Sequence, residues 1–490
     1  MTKQSLQLSL ATLLILIISY FICGNIPVGG GAGWDGAGYL RVIENIGDGI
    51  LLKNDPYHVS RLPGFAPLIL ASFLGWRGPE LIYFQTGLNI VLMAIAAGLF
   101  FDALAALGKS KAIKYLSTLT LVFSWPFIIM PVYYPILSDN IALFLSCLSL
   151  WCWARLHQKS LYMITLYSLW VMPGLFIIPF ILSIFPASGN HRPLYMDKKN
   201  PSLLFAKILL AAFIVFKLVQ FSVSHPQELS DDFVTEHGRN LAGTTALIQL
   251  KLLSAAAAIL CASFAAWTLS QHVFDLGTWK SISIKKLAIA CILFALNVAM
   301  MYFCIDWSSG FKGPPLLNFM YAQTLALPLK PLIAHFIGLN PVIIVALGGL
   351  ILRCKVERSE KAVELAFLCF VPALFFGSES RQWIGALPVG VFLMSMHVWS
   401  LPRRVWCFIA SILIVSPALL LKTKVSLAHT SALGLQSPEW QYYFSRQGPW
   451  MSVQSYEIAL IALVVFLLGF KFADPITDAF RKRFSSATEL

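Results

Sequence analysis

The sequence predicts an all-helical protein that crosses a membrane many times. Of its 490 residues, 58% are hydrophobic and only 12% are charged, and the mean hydropathy is +0.74. Apolar runs long enough to span about 30 Å of hydrocarbon as helix recur from end to end. Lipid offers no hydrogen-bond partners, so the backbone of these runs must satisfy itself as helix. We therefore expect one integrated transmembrane domain over residues 1–490, with about 12–14 spans.

The positions of the apolar runs predict the individual spans. Residues 7–24 follow Lys3 without a small-residue cleavage site, so we interpret this run as an uncleaved signal anchor. Residues 160–172 and 173–187 are two half-spans that meet at Pro173, because proline breaks a continuous helix. The remaining spans are predicted at 82–105, 113–134, 140–157, 202–223, 244–268, 286–304, 331–352, 362–377, 383–398, 404–421 and 453–471.

Charge predicts the orientation of these spans. Lysine and arginine concentrate in alternate loops, such as "GKSKAIK", "RLHQK", "RCKVERSEK" and the tail "RKR". The positive-inside rule then places both termini in the cytoplasm and residues 25–81 outside. The net charge of +13 reflects this topology and an affinity for anionic membrane lipids. Because the bases are dispersed and form no basic domain, we expect no nucleic-acid partner.

The cysteines indicate neither a metal site nor a disulfide framework. All nine lie in or at the ends of predicted spans, and no pair has the C-x-x-C spacing. A structural zinc site or a set of extracellular disulfides would require a different pattern.

The first outer loop contains two segments that are apolar but not suited to span the membrane. In "AGYLRVIENIGDGILL" (37–52), Tyr39, Val42, Ile43, Ile46 and Ile50 recur at helical spacing. This pattern is typical of an amphipathic helix lying in the membrane interface. The segment "PGFAPLILASFLGW" (63–76) is too short to cross and predicts a second helix on or dipping into the surface. Together the two helices would roof a cavity open to water and to lipid.

Four motifs in the outer loops and half-spans carry a resemblance to a known family. They are "WDGAGYL" with "YHVSRLPGFAPL" in the first loop, "YPILSDNIALFLSCLSL" at the second loop, "SLYMITLYSLWVMPGLFIIPFIL" around Pro173, and "SESRQWIGALPVGVFLM" late in the chain. Their order and outer-face placement resemble the GT-C superfamily of integral membrane glycosyltransferases. The family usually has Arg before the half-span proline, where this chain has Met172. The resemblance covers roughly residues 1–190, which it implies form a catalytic module, and again 376–395; residues 191–490 form a variable module with outer loops near 224–243, 305–330 and 422–452.

The resemblance implies a sugar donor linked to polyprenyl phosphate and a glycan or lipid-linked acceptor. A glycosyl phosphate carries its own leaving group, so the site needs a base for the acceptor hydroxyl and cations for the departing phosphate. Asp35 is the candidate base, and its flanking glycines would permit close approach of substrate. Asp139 is the second candidate catalytic carboxylate, and the two could share the roles of base and of orienting the acceptor. The structural alternative for each is an N-cap, of a helix starting near Gly36 or at Asn140.

The candidates for phosphate binding are arginines. Arg381 offers a planar fork to phosphate oxygens, and the alternative is a salt bridge or snorkelling to the interface. Arg61 in the first loop is a second donor-phosphate candidate, or else the structural partner of an acid. The secondary candidates are His58, Tyr57 and Glu379. No cofactor is required, although an acid pair could hold Mg²⁺ or Mn²⁺; with no third ligand evident, we predict no metal site.

Two other classes of protein remain open. A lipid-linked glycan flippase or transporter would place its site at broken helices, and the break at Pro173 is compatible with that reading. A polysaccharide polymerase would also act on lipid-linked glycans at the outer face. For the transferase, we expect inverting transfer of a hexose or pentose in the bacterial plasma membrane, on the periplasmic side, with the modification of O-antigen lipopolysaccharide or another envelope glycan as the expected role.

The predicted topology can be tested with single introduced cysteines. Gly29→Cys and Ser485→Cys should react with a membrane-impermeant maleimide from opposite sides, because the first loop is outside and the tail is inside. Labelling of both positions from the same side would contradict the topology.

Overall fold

The computed structural model describes residues 2–50, 55–185, 250–273, 282–307, 323–351, 361–420 and 448–487, and the single positions 208, 209, 212, 216 and 320. Throughout these ranges the regular structure is helical, with no β-strand. The all-helical fold class is therefore confirmed. The predicted span 202–223 and the predicted outer loop at 224–243 fall almost wholly outside the described residues, as does most of the loops at 305–330 and 422–452.

Seventeen helices of six or more residues make up the described part of the chain. The first eight are α1 Lys3–Cys23, α2 Trp34–Gly47, α3 Ala66–Phe73, α4 Pro79–Ala106, α5 Lys111–Val122, α6 Ser138–Ala154, α7 Gln158–Ser168 and α8 Ile177–Ile184. The others are α9 Lys251–Val273, α10 Ile284–Cys304, α11 Lys330–Gly338, α12 Val342–Ile351, α13 Lys361–Leu368, α14 Val371–Phe376, α15 Ala386–Met396, α16 Leu401–Leu420 and α17 Val453–Ala487. Short helical turns lie at Gly29–Gly31, Pro56–Val59, Leu62–Phe65, Trp125–Ile128, Met130–Tyr133, Pro173–Phe176, Ser380–Trp383 and Gly448–Trp450.

Six of the described helices are long and apolar enough to cross a membrane: α1, α4, α9, α10, α16 and α17. The chain is therefore a multi-pass membrane protein. Within its most apolar stretch, α4 is 72% buried and α10 only 11% buried. This difference places α4 inside the bundle, packed between α1 and α6, and leaves most of α10 exposed, as expected of a lipid-facing helix.

Three predicted spans are not continuous helices. Residues 113–134 form α5 followed by two four-residue turns, 331–352 divide into α11 and α12, and 362–377 divide into α13 and α14. Prolines lie at or next to the start of the later pieces, at Pro126, Pro131, Pro341 and Pro372. Proline lacks an N–H and clashes with the preceding turn, but it is tolerated at the start of a new helix. The prediction of single spans was wrong because apolar length was weighed without these prolines.

The break at Pro173 is confirmed and lies next to the first outer loop. Helix α7 ends at Ser168, the turn Pro173–Phe176 follows, and α8 begins at Ile177. The Tyr167 hydroxyl donates to the Pro63 carbonyl at 2.6 Å. The half-spans are therefore attached directly to the "RLPGF" turn of the first loop.

Both helices predicted in the first outer loop are present. Helix α2 has 14 residues and α3 has eight, about 21 Å and about 12 Å of helix, so neither is long enough to cross about 30 Å of hydrocarbon. The inner face of α2 buries Tyr39, Val42 and Ile43, and the Ser72 hydroxyl of α3 donates to the Ile43 carbonyl at 3.2 Å. Leu70 and Phe73 on the outer face of α3 are 63% and 58% exposed. This exposed apolar face is compatible with the predicted interfacial position.

A buried carboxylate joins α1, α4 and α6 at the end of the bundle predicted to face the cytoplasm. Asp102 of α4 is fully buried and accepts from the Thr2 amide at 3.2 Å and from Trp151 Nε1 at 2.9 Å. Arg155 binds both of its oxygens, with Nε at 3.0 Å and Nη2 at 2.9 Å. A two-pronged, charge-assisted contact of this kind fixes orientation as well as contributing energy.

This ion pair predicts an unequal response to the loss of either partner. Arg155→Gln leaves Asp102 buried without its cation, which should cost about 3–5 kcal/mol of stability. Asp102→Asn should cost less, because the Arg155 side chain is 37% exposed and can turn towards water. Thermal unfolding of both variants in lipid nanodiscs measures the difference, and equal losses would contradict this account.

Candidate active site

Asp35 lies in the first turn of α2 but does not cap it. The N-cap residue is Gly33, which has a φ of 79° and no side-chain cap. The amide of Asp35 donates to the Tyr134 hydroxyl at 3.0 Å, so the backbone here is fixed by the second outer loop. The N-cap alternative for Asp35 is therefore wrong, and its carboxylate is available for other contacts.

The glycines around Asp35 accommodate neighbouring protein groups. A Cβ added at Gly33 would lie 2.0 Å from the Tyr134 ring, and one at Gly38 would lie 2.3 Å from Nε2 of His58. At Gly36 a Cβ would approach the Ile136 carbonyl to 3.0 Å. The expectation that these glycines make room for substrate is corrected in this respect: they let the start of α2 pack against the second outer loop and His58.

The carboxylate of Asp35 forms an ion pair with Arg381. Nη2 of Arg381 lies 2.5 Å from Oδ2 of Asp35, and Nε donates to Oε1 of Glu379 at 2.7 Å. The second oxygen of Glu379 accepts from Gln382 at 2.7 Å. The salt-bridge alternative for Arg381 is thus present in the structure, and it joins two of the predicted site residues.

This pairing sets the charge of both groups. The guanidinium of Arg381 holds the pKa of Asp35 below its usual range, although burial acts in the opposite direction. Burial disfavours the charged form of Arg381, but Asp35 and Glu379 outweigh it and raise the pKa of Arg381 well above its ordinary value. At neutral pH the pair is therefore a carboxylate and a guanidinium, in a site where their side chains are 30% and 16% exposed.

Arg61 has aromatic partners. Its Nη1 donates to the hydroxyls of Tyr57 at 3.2 Å and Tyr39 at 3.4 Å, and its guanidinium lies 4.4 Å from the centre of the Tyr57 ring. No carboxylate in the described part of the chain lies within the 4.0 Å of an ion pair with Arg61. Arg61 therefore makes no direct ion pair with an acid in these residues, and Asp139 attracts it only at longer range.

His58 forms the wall beside this arginine. Its Nδ1 lies 2.7 Å from Oδ2 of Asp55, which also pairs with Arg41 at 3.6 Å. The imidazole meets the rings of Tyr39 and Tyr57 edge-on, at centroid distances of 4.7 Å and 4.9 Å. These contacts hold the imidazole between Asp55 and the two tyrosine rings.

Asp139 lies in the first turn of α6, which begins at Ser138 with Leu137 as its N-cap and no side-chain cap. The N-cap alternative for Asp139 is therefore also wrong. Its side chain is buried, with the residue 3% exposed. Burial raises the pKa of Asp139 above its usual range, and attraction to Arg381 and Arg61 acts in the opposite direction.

The structure thus brings all seven predicted site residues into one electrostatically linked cluster. Three come from residues 57–61, two from 379–381, and the acids from α2 and α6. Asp35 responds to Arg381, His58 and Arg61, and Tyr57 responds to Asp35, Arg381 and Asp139. We name this set the acid–arginine cluster; its members are Asp35, Tyr57, His58, Arg61, Asp139, Glu379 and Arg381.

Sequence reasoning missed the residues that hold Arg381 in place. Oε1 of Gln323 accepts from the Ser378 amide at 2.9 Å and from the Ser378 hydroxyl at 2.7 Å. Nδ1 of His335 in α11 lies 2.9 Å from the Ser380 hydroxyl oxygen. Gln323 and His335 are almost fully buried. The available signal was a lone polar side chain within an apolar run, which in a membrane segment often marks a functional region.

The loop before Asp139 is held by two asparagine side chains, which were also missed. Nδ2 of Asn89 in α4 donates to the Pro131 and Pro135 carbonyls at 3.0 Å and 2.9 Å. Nδ2 of Asn140 donates to the Tyr134 and Pro135 carbonyls at 3.2 Å and 3.1 Å. These bonds satisfy backbone carbonyls of a non-helical segment and position the Tyr134 ring beneath Gly33.

Within the described ranges, no three side chains of the His, Cys, Asp and Glu types cluster as metal ligands do. No preformed group of ligands in these ranges therefore supports a divalent cation at Asp35 or Asp139.

Comparisons with protein families, with curated proteins and with solved structures give no match to this chain.

The packing of Gly33 predicts a stability difference between two glycines of the same loop. Both Gly33→Ala and Gly30→Ala place a side chain at positive φ, which costs about 1–2 kcal/mol. Only Gly33→Ala also drives a Cβ into the Tyr134 ring, since nothing lies within 4 Å of a Cβ at Gly30. It should lose about 1–3 kcal/mol more, measured as thermal stability in nanodiscs, whereas identical losses would argue against the close packing.

Proposed function

We propose that this chain is an inverting membrane glycosyltransferase of the GT-C type. It moves a sugar from a polyprenyl-phosphate donor to a glycan or lipid-linked acceptor at the outer face. The observation that carries the proposal is the ion pair of Asp35 with Arg381 inside the acid–arginine cluster. It provides a base and a phosphate-binding cation side by side in a partly buried site, as this reaction needs.

In the proposed step, Asp35 takes the proton of the acceptor hydroxyl. The hydroxyl oxygen attacks the anomeric carbon from the side opposite the phosphate and forms the new glycosidic bond. The bond from the anomeric carbon to the phosphate oxygen breaks with its electron pair, and polyprenyl phosphate leaves. Because the attack is direct and opposite the leaving group, the anomeric configuration is inverted.

The other members of the cluster take supporting roles. Arg381 and Arg61 stabilise the charge that collects on the leaving phosphate, where an arginine fork matches the oxygens better than a lysine would. Asp139 orients the acceptor from the second outer loop. Glu379 holds the Nε side of Arg381 at 2.7 Å, and Tyr57 with His58 forms the wall against which a sugar ring can pack.

The proposed setting follows from the same resemblance. About 12–14 spans carry the outer loops, and α2 and α3 lie in the outer interface as the roof of the reaction chamber. The exposed apolar face of α3 supports this position. We place the enzyme in a bacterial plasma membrane with its site on the periplasmic face, where it modifies O-antigen or another envelope glycan.

One observation favours a second candidate, a carrier of lipid-linked glycans. The helix break at Pro173 lies beside the Arg381 segment, since a Cβ on Gly174 would be 3.8 Å from the Trp383 ring. Broken helices at a binding site are typical of transporters. A carrier would move the lipid-linked sugar across the membrane without breaking the bond to phosphate. A polymerase would differ in extending the glycan chain instead of adding one sugar.

The catalytic role of Asp35 predicts a large, specific loss in one variant. Asp35→Asn keeps the shape of the side chain but removes its basicity, so turnover should fall by about 10²–10⁴-fold. The assay follows release of polyprenyl phosphate from radiolabelled undecaprenyl-phosphate and dolichyl-phosphate hexoses and pentoses, with isolated cell-envelope glycans as acceptors. The variant should remain folded, and donor binding should be retained or strengthened, because Arg381 loses the carboxylate that competes for it.

The matched control is Asp48→Asn at the other end of α2. Asp48 is 55% exposed and pairs with Arg77 at the surface, so the same chemical change should leave turnover near wild type. Near wild-type transfer by Asp35→Asn would remove Asp35 from catalysis. Normal uptake of the lipid-linked sugar, with no bond cleavage in the wild-type protein, would favour the carrier instead.

A further inference from the structure

The guanidinium of Arg381 is divided between two carboxylates. Its Nε edge is held by Glu379 at 2.7 Å, and Glu379 is itself fixed by Gln382. Its Nη2 contacts Asp35 at 2.5 Å. The serines on either side of Glu379 are bonded to Gln323 and His335. The arginine is therefore anchored at one edge, while the Asp35 edge carries the contact that an incoming anion can replace.

The proposed base is thus engaged with the cation proposed to bind the donor. A carboxylate paired with a guanidinium is a poor proton acceptor, because protonation would break a favourable charge interaction. The donor phosphate also needs Arg381, and it carries a negative charge to the same place. Asp35 and the donor are therefore competitors for one group.

We infer that the donor phosphate displaces Asp35 from Nη2 of Arg381, so that Asp35 becomes an effective base only when the donor is bound. The inference rests on the proposed function, in which Arg381 binds the phosphate. In the exchange, the Nε edge of Arg381 stays on Glu379 while Nη2 changes its partner from Asp35 to the phosphate. Donor binding then precedes deprotonation of the acceptor, and an acceptor or water molecule that enters an empty site meets a paired, weakly basic carboxylate.

The remaining charged and titratable groups around Asp35 do not replace Arg381 as its counter-ion. Arg61 is engaged with two tyrosine hydroxyls and His58 with Asp55, and neither forms an ion pair with Asp35 in the described residues. The titratable and charged groups that act on Asp35, or on which it acts, come from every element packed against it: Tyr39 on α2, Tyr57, His58 and Arg61 in the first loop, Tyr134 and Asp139 at the second, and Arg381. In the exchange, Asp35 loses its contact with Nη2 of Arg381 and gains a negatively charged phosphate as a neighbour. Each of these changes raises the proton affinity of Asp35.

The experiment is a titration of Asp35 in the full-length protein in nanodiscs. Infrared difference spectra, with those of Asp35→Asn subtracted, report protonation of this carboxyl from about pH 2 to about pH 8. The probe is undecaprenyl phosphate, undecaprenol is the uncharged control lipid, and phosphorus NMR reports binding. Undecaprenyl phosphate should raise the midpoint by about 1–3 pH units, and undecaprenol should leave it unchanged.

Two variants sharpen the test. Arg381→Gln should show the higher midpoint without any phosphate, and Arg77→Gln, the same change at the surface pair with Asp48, should behave as wild type. An unchanged Asp35 midpoint with undecaprenyl phosphate bound to wild-type protein would overturn the exchange while leaving the proposed function standing. Absence of undecaprenyl phosphate binding would overturn the phosphate site itself, and the inference with it.

Discussion

The contact between Asp35 and Arg381 is the constraint on which the packing of the first loop against residues 378–383 depends. A guanidinium with a side chain only 16% exposed is costly to bury unless it has both a counter-charge and hydrogen bonds. Asp35 supplies one contact and Glu379 the other. Each partner must therefore be positioned accurately. Gly33 lets the start of α2 pack against the Tyr134 ring. The buried Gln323 and His335 side chains hydrogen-bond to the serines on either side of Glu379 and so hold the Arg381 segment. The half-spans around Pro173 fill the space between the two loops.

The cluster behaves electrostatically as one unit. Two acids, two arginines and a tyrosine influence one another's charge: Asp35, Asp139, Arg61, Arg381 and Tyr57. Glu379 acts on Arg381, and the hydrogen bonds of Arg61 connect the Tyr39 and Tyr57 hydroxyls to these groups. Energetic effects of substitutions at groups in such contact are not additive. Removing one member changes what the others bind, so double-mutant cycles, and not single variants, apportion the contributions.

How much the sequence could predict differs between elements. Apolar length and charge bias predicted the membrane class, and the helical spacing in "YLRVIENI" predicted α2, because one apolar stripe is a local property. The break at Pro173 followed from proline chemistry, whereas the prolines at 126, 131, 341 and 372 were overlooked. The site residues were identified through the resemblance, but the sequence could not predict which of them form pairs. Whether Arg381 contacts Asp35, Asp139 or solvent depends on packing across the whole bundle. Gln323 and His335 were missed because single polar residues in apolar runs do not reveal their partners.

The division of the site between an early loop and a late one also bears on how the protein is made. Asp35 emerges from the ribosome soon after the first helix, and Arg381 only after more than three quarters of the chain has been synthesised. Contacts so distant in sequence form late, since the loop between them must first be closed. During insertion, Asp35 is therefore synthesised and folded into α2 long before its partner Arg381 is available. The Asp35–Arg381 pair cannot form until the segment around residue 381 has packed against the start of α2.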